Sequence, residues 1–307
     1  MVAARVYRLS LLSAGLLATS LAVAEDAPTV PPIPPASPES PAPSTQSSAP
    51  KLDAPADAAA ELDLLTFYKD NYLLTGFSDA TEVKFQFSAK FDIWPNRGPH
   101  AVYFAFTQKS LWNIYRKSQP FQENNYAPEL FYSYFHAPGR YDPLPGCGFF
   151  LERLGFVHES DGEDDPRSRG WNRVYGESRF ACYDSGRHYA ALTLQVWYPV
   201  SARDNPDIAK YLGYGELSLA AGSDSGGSLF GDWEVALHAR KGTRDLKTGS
   251  LELDARWRPR YGEFWRFTPY LYGQLFTGYG ETLLSYDHAL TAIRVGIGFS
   301  DRSTRSD

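Results

Sequence analysis

Several absences narrow the possibilities for this 307-residue chain. Past the N-terminal apolar run there is no stretch of about 20 apolar residues, so no membrane-spanning helix is expected. There is no excess of basic charge. Thirty Lys and Arg stand against 36 Asp and Glu, and a net charge of −6 gives no basis for nucleic-acid binding. No cysteine directly follows the N-terminal apolar run, so a lipoprotein anchor is not indicated. No internal repeat is visible beyond the spacing of hairpins.

What is present begins with an address. Arg5 and Arg8 precede the apolar run Leu9 to Leu21, followed by Ala22-Val23-Ala24, which reads as a secretory signal peptide over residues 1–24. Residues 25–60 are Pro, Ala and Ser with scattered acids, a composition that cannot bury a core and reads as a disordered linker. Residues 61–300 have the size of one domain, with a tail over 301–307.

That domain is rich in aromatics, including 20 tyrosines, and its hydrophobicity is dispersed in period-two alternation. A transmembrane barrel requires this pattern, with one face in lipid and the other in a polar lumen. A soluble secreted β-sandwich also alternates and is the plainer alternative. Twelve strands are expected near 64–76, 81–94, 100–114, 127–136, 147–160, 170–182, 187–199, 209–222, 229–240, 248–258, 265–278 and 289–299. Short joins such as 183–187 and 258–262 look periplasmic. The longer polar joins 115–126, 161–169, 200–208, 241–247 and 279–288 look extracellular. Phe299 is a candidate terminal aromatic, although eight residues follow it.

The two cysteines, Cys147 and Cys182, lie near the start of one strand and the end of the next. An exported protein meets an oxidising compartment, which permits a disulfide. Strand phase places Cys147 inward and Cys182 outward, but both adjoin turns where phase can break, so pairing stays open.

His158 and Ser160 sit two apart on a strand and therefore share a face. A hairpin closed by the polar loop 161–169 returns Asn172 beside His158. If the arginines Arg153, Arg173 and Arg179 fill the lumen, then His158, Ser160 and Asn172 face outward. Phe150, Leu154, Phe156 and Val174 go with them, and Glu152 becomes a charged exception on that face. Hydroxyl, imidazole and carboxamide make a serine-hydrolase set: Ser160 as nucleophile, His158 as base, Asn172 holding the imidazole's tautomer. A His-x-Ser pair alone is more often a rim pair bonded to loop backbone. Asp161, Glu163, Asp164, Asp165 and Ser168 supply oxygen donors of the kind Ca²⁺ takes, though such a loop is more commonly just solvated.

The string HxSxGxxDPxSRxWNRxY over 158–175 is long and specific. It resembles the signature of outer membrane phospholipase A, and the similarity extends over about residues 64–299. It includes Thr107 to Trp112, Ser118 to Phe131, Asp204 to Tyr214 and Gly278 to Leu283. The resemblance implies an all-β, twelve-stranded antiparallel transmembrane barrel of the outer membrane. Its implied activity is calcium-dependent hydrolysis of phospholipid and lysophospholipid acyl esters, with A1 and A2 specificity, and activation by homodimerisation. It implies His158, Ser160 and Asn172 as catalytic residues and the Gly162 N–H as oxyanion donor. Calcium would be held by the Glu163 carbonyl, the Ser168 hydroxyl and, across a dimer, Ser118, with Asp165 as a ligand in the monomer. Gln108 would lie at the dimer interface. Asp161 stands where the family usually has Asn, Gly170 where it often has Ser, and Glu163 where it has a basic residue. The rival reading from another class is a non-enzymatic porin-like barrel. A third is a soluble secreted esterase.

Overall fold

Alternation of apolar and polar residues favours strands with two unlike faces, and a ring of them leaves no unpaired edge in lipid. The computed structural model of the protein describes residues 65–77, 82–95, 98–136, 146–184, 188–223, 231–259 and 267–301. The signal, the linker, the tail beyond Asp301 and the join 258–262 lie wholly or largely outside them. The strands are β1 Leu65–Phe67, β2 Asn71–Phe77, β3 Glu82–Asp92, β4 His100–Trp112, β5 Phe121–Phe135, β6 Cys147–Ser160 and β7 Gly170–Tyr183. They continue as β8 His188–Ser201, β9 Gly215–Ser223, β10 Asp232–Lys241, β11 Gly249–Arg258, β12 Phe267–Gly278 and β13 Leu290–Asp301.

β1 and β2 both pair with β3, at Leu65↔Phe91 and Tyr72↔Gln86, so they are one strand interrupted at residues 68–70. Each later strand pairs antiparallel with the one before it, and β13 returns to β2 through Ile293↔Phe77 to Phe299↔Asn71. The result is a closed, twelve-stranded antiparallel barrel. Phe299 is inside the closing ladder, and β13 continues to Asp301.

Two strand expectations need correction. The strand expected from 127, β5, begins at Phe121, because residues 113–120 already complete the turn after β4. The segment expected as a strand from 209 starts with a helical turn, α1 (Ile208–Leu212), and β9 begins only at Gly215. Ile208 and Leu212 are buried there against Trp171, Trp197, Leu283 and Tyr286. That cluster plugs one mouth of the barrel, and burial of its apolar area outweighs the local strand pattern.

The outer wall is apolar: Leu154 and Tyr198 are each 66% exposed, with Phe156, Val174, Leu192, Leu194, Val196 and Leu219 beside them. The lumen is filled by paired charge. Arg153 donates to Glu177 (2.9 Å), Lys84 contacts Glu281 (2.9 Å), and Arg294 bridges Glu82 (2.5 Å) and Glu281 (3.2 Å). Glu129 accepts from Tyr68 at 2.9 Å and from Tyr175. The loop at 279–289 folds back over this network, with the backbone N–H groups of Leu283 and Leu284 donating to Glu123.

Cys147 and Cys182 form a disulfide across β6 and β7. The phase objection fails because β6 carries a bulge: Phe149 faces Phe180 and Leu151 faces Arg179, leaving Phe150 as the extra residue. One inserted residue reverses the alternation below it and turns Cys147 to the side of Cys182. For the same reason Phe149, not Phe150, is the exposed aromatic at that level, 44% exposed.

Candidate active site

The loop 161–169 joins the end of β6 to the start of β7, with His158 opposite Asn172 and Ser160 opposite Gly170. The imidazole Nδ1–H of His158 donates to Asn172 Oδ1 at 2.7 Å. An amide oxygen can only accept, so this bond fixes the proton on Nδ1 and leaves the Nε2 lone pair free. Ser160, two residues along, shares the outward face with His158. Among the described residues no hydrogen bond joins its hydroxyl to the imidazole. His158, Ser160 and Asn172 share the face of the exposed Leu154, Phe156 and Val174.

The hairpin end is clamped from inside. Glu159, between His158 and Ser160, points into the lumen and pairs with Arg173 at 2.8 Å. The guanidinium of Arg173 lies over the Trp171 ring at 4.2 Å, and the Trp171 indole N–H donates to Glu159 at 3.2 Å. These contacts pin the residues flanking His158, Ser160 and Asn172, so the outward triplet is set by inward bonds. A side chain at Gly170 would bring a Cβ within 3.3 Å of the Ser160 Cβ, so glycine leaves room beside that hydroxyl.

Gly162 has a φ of +71°, which favours glycine, and the Tyr126 ring lies 3.1 Å from where its Cβ would be. Asp161 organises the loop. Its Oδ1 accepts from the N–H of Glu163 (3.2 Å) and of Arg169 (3.0 Å), and its own N–H donates to the Arg169 carbonyl (2.9 Å). Its Oδ2 is buried with no hydrogen-bond partner among the described residues.

The Ser168 hydroxyl lies 3.5 Å from Asp204 Oδ2, so a carboxylate from the join after β8 reaches the loop. Asp204 was not singled out as a site residue; its signal was the Asp204-Asn-Pro-Asp motif, whose place beside Ser168 only the fold reveals. Glu163 and Asp165 are exposed, and Ser118 sits in the 113–120 turn with a φ of +73°. No described contact joins Ser118 to loop 161–169. Among the described residues there is no cluster of three or more His, Cys, Asp or Glu poised for a metal. The donors that are present, a hydroxyl, carboxylates including the orphan Asp161 oxygen, and loop carbonyls, are all oxygens, which suits a hard cation. Gln108 donates to the Ser110 hydroxyl (3.2 Å), which donates to Asn124 (2.8 Å), a polar chain on the outward side of β4 and β5.

A closed barrel with apolar exterior and charged interior defines an outer membrane β-barrel protein. The family model described as Phospholipase A1 matches residues 58–300, and the chain belongs to that family. The Phospholipase A1 of Escherichia coli strain K12 is 36% identical over 231 residues, which covers 72% of this chain and 70% of that protein. The Phospholipase A1 of Klebsiella pneumoniae is 32% identical over 266 residues, covering 78% and 83%. Outer membrane phospholipase A from Escherichia coli superposes with a TM-score of 0.64 at 28% identity, over 79% of this chain and 96% of that one. The outer membrane phospholipase dimer of Salmonella typhi, solved with bound calcium, gives the same TM-score and identity over 76% and 91%. The chain is an outer membrane phospholipase.

Proposed function

We propose that this enzyme hydrolyses acyl esters of glycerophospholipids and lysophospholipids, with A1 and A2 specificity, through Ser160, His158 and Asn172. The observation that carries this reading is the 2.7 Å bond from His158 to Asn172 on the outward wall, one alternation from Ser160. Ser160 Oγ attacks the ester carbonyl carbon while its proton passes to His158 Nε2. The carbon–oxygen bond to the glycerol breaks, and His158 returns the proton to the departing oxygen. Water, deprotonated by the same imidazole, then cleaves the acyl-Ser160 ester and releases the fatty acid. The Gly162 N–H faces the developing oxyanion, a contribution made largest where water is excluded.

The activity requires calcium, held by the Glu163 carbonyl, Ser168, Asp165 and, from a second copy, Ser118, with Asp204 as an added carboxylate. When bound, a cation there adds positive charge beside the oxyanion. Gln108 lies in the contact between two copies, and the catalytic end faces the outer leaflet. Phospholipid must reach that leaflet and two copies must meet before hydrolysis proceeds. A porin-like role is disfavoured by the mouth plugged with Trp171, Trp197, Ile208 and Leu283.

The test is hydrolysis in mixed micelles with and without calcium, for the wild type and Ser160→Ala, paired with chemical crosslinking. Loss of activity of roughly 10³-fold or more in the variant, with unchanged heat-modifiable mobility, supports the triad. Calcium-independent activity and crosslinking would remove the cation and the dimer from the scheme.

A further inference from the structure

The outward wall carries a second polar group far from the catalytic residues. His100, Tyr134, Glu152 and Ser178 are direct cross-strand neighbours on β4, β5, β6 and β7. They share a face with exposed Phe104, Leu130, Leu154 and Val174, so the row looks into lipid. Glu152 accepts from the Ser178 hydroxyl at 2.9 Å and lies 3.6 Å from His136 Nε2, yet its side chain is 42% exposed. His100 shares a 2.6 Å hydrogen bond with the Tyr132 hydroxyl.

An ionised carboxylate on a lipid-facing wall is unfavourable unless it sits at an interface and finds a cation. Depth supplies the first condition. His100 opens β4 and Tyr134 is the penultimate residue of β5, so the row lies at the strand ends opposite the catalytic loop. Glu152 is eight residues from Ser160, about 26 Å along the strand and about 20 Å along the axis at a tilt near 40°. That is nearly the height of an outward apolar band, about 25 Å. The row therefore stands at the headgroup level of the other leaflet.

Chemistry supplies the second condition. A carboxylate beside imidazole and phenol groups presents an acceptor for an ammonium and donors for a phosphate within one strip. We propose that this row is a non-catalytic binding site for a phospholipid whose headgroup carries a primary ammonium, in the leaflet opposite Ser160. Glu152 takes the ammonium, and the His100 and Tyr134 side takes the phosphate. The apolar wall above, Leu154 and Phe156, receives the chains.

The probes are ether-linked phosphatidylethanolamine, phosphatidylcholine and phosphatidylglycerol, which the enzyme cannot hydrolyse. Each is mixed without calcium with detergent-solubilised full-length protein, and retained lipid is counted by native mass spectrometry. Wild type should retain the ethanolamine lipid about ten-fold more than the glycerol lipid, the worth of one charge-assisted contact. Glu152→Gln should lose that preference, and Glu152→Asp, which keeps the charge, should restore it. Both variants should keep wild-type hydrolysis and heat-modifiable mobility, because Glu152 touches none of the catalytic groups. Equal retention of the three lipids by wild type, or an unchanged preference in Glu152→Gln, overturns the proposal.

Discussion

Asn172 is the residue where electrostatics and location meet. A carboxamide gives an imidazolium less support than a carboxylate, but it is less costly to desolvate on a lipid-facing wall. Its role in the proposed chemistry is orientation, through the 2.7 Å bond that fixes the His158 tautomer. Asn172→Ala should therefore lower kcat about 10- to 100-fold, the scale of a misplaced base, with KM little changed. Steady-state kinetics on a monomeric substrate in detergent reads this directly. A fall as deep as that of Ser160→Ala would show that Asn172 does more than orient. The sequence already named these three residues, since a period of two and a single hairpin closed by loop 161–169 suffice to place them together. It gave no sign of the support behind them, the Glu159–Arg173–Trp171 clamp, because such contacts depend on which side of the sheet becomes the lumen.

At the level of elements, two devices have measurable strength. The Cys147–Cys182 bridge closes a segment of 35 residues at the far end of the β6–β7 hairpin. Chain-entropy reasoning values such a link at up to about 3–4 kcal/mol. Cys147→Ser with Cys182→Ser should lower the denaturant midpoint while hydrolysis persists, because His158 and Asn172 are held by their own ladder. The second device is the loop at 279–289. Burial alone would raise the Glu281 carboxyl, but Lys84 and Arg294 hold it down at about 2. A depressed carboxylate stabilises the folded state above its unfolded pKa. That contribution is lost as pH falls from about 4.5 towards about 2. Acidification over that window should loosen the loop, seen as faster proteolysis between β12 and β13. Glu281→Gln should already be loose at neutral pH. Neither device was legible beforehand: the disulfide depended on a bulge at Phe150, and two of the loop's anchors, Lys84 and Glu123, come from strands more than a hundred residues away.

For the whole molecule, the closed ring and the crowded lumen argue for a scaffold rather than a conduit. Paired charges span the interior, and the internal polar cavity between Asp70, Glu216, His238 and Glu252 has a volume of about 220 Å³. Purified protein in planar bilayers should show no steady conductance of porin size. Sustained large openings would require the cluster of Trp171, Trp197, Ile208 and Leu212 to move aside. In the proposed reading the lipid-facing wall carries the chemistry instead, with the proposed catalytic group at one end and the row through Glu152 at the other.

By itself the sequence determined the strand period, the number of strands, the outward face and the residues of the proposed catalytic group. The first three follow from local alternation, and the last from the long signature over 158–175 and its resemblance to a known family. Only the tertiary structure decided the helical turn at Ile208–Leu212, the pairing of the cysteines, the approach of Asp204 to Ser168 and the charge network in the lumen. Those features depend on bulges and on contacts between residues remote in the chain, whose partners are chosen by ring closure and burial rather than by any neighbouring residue.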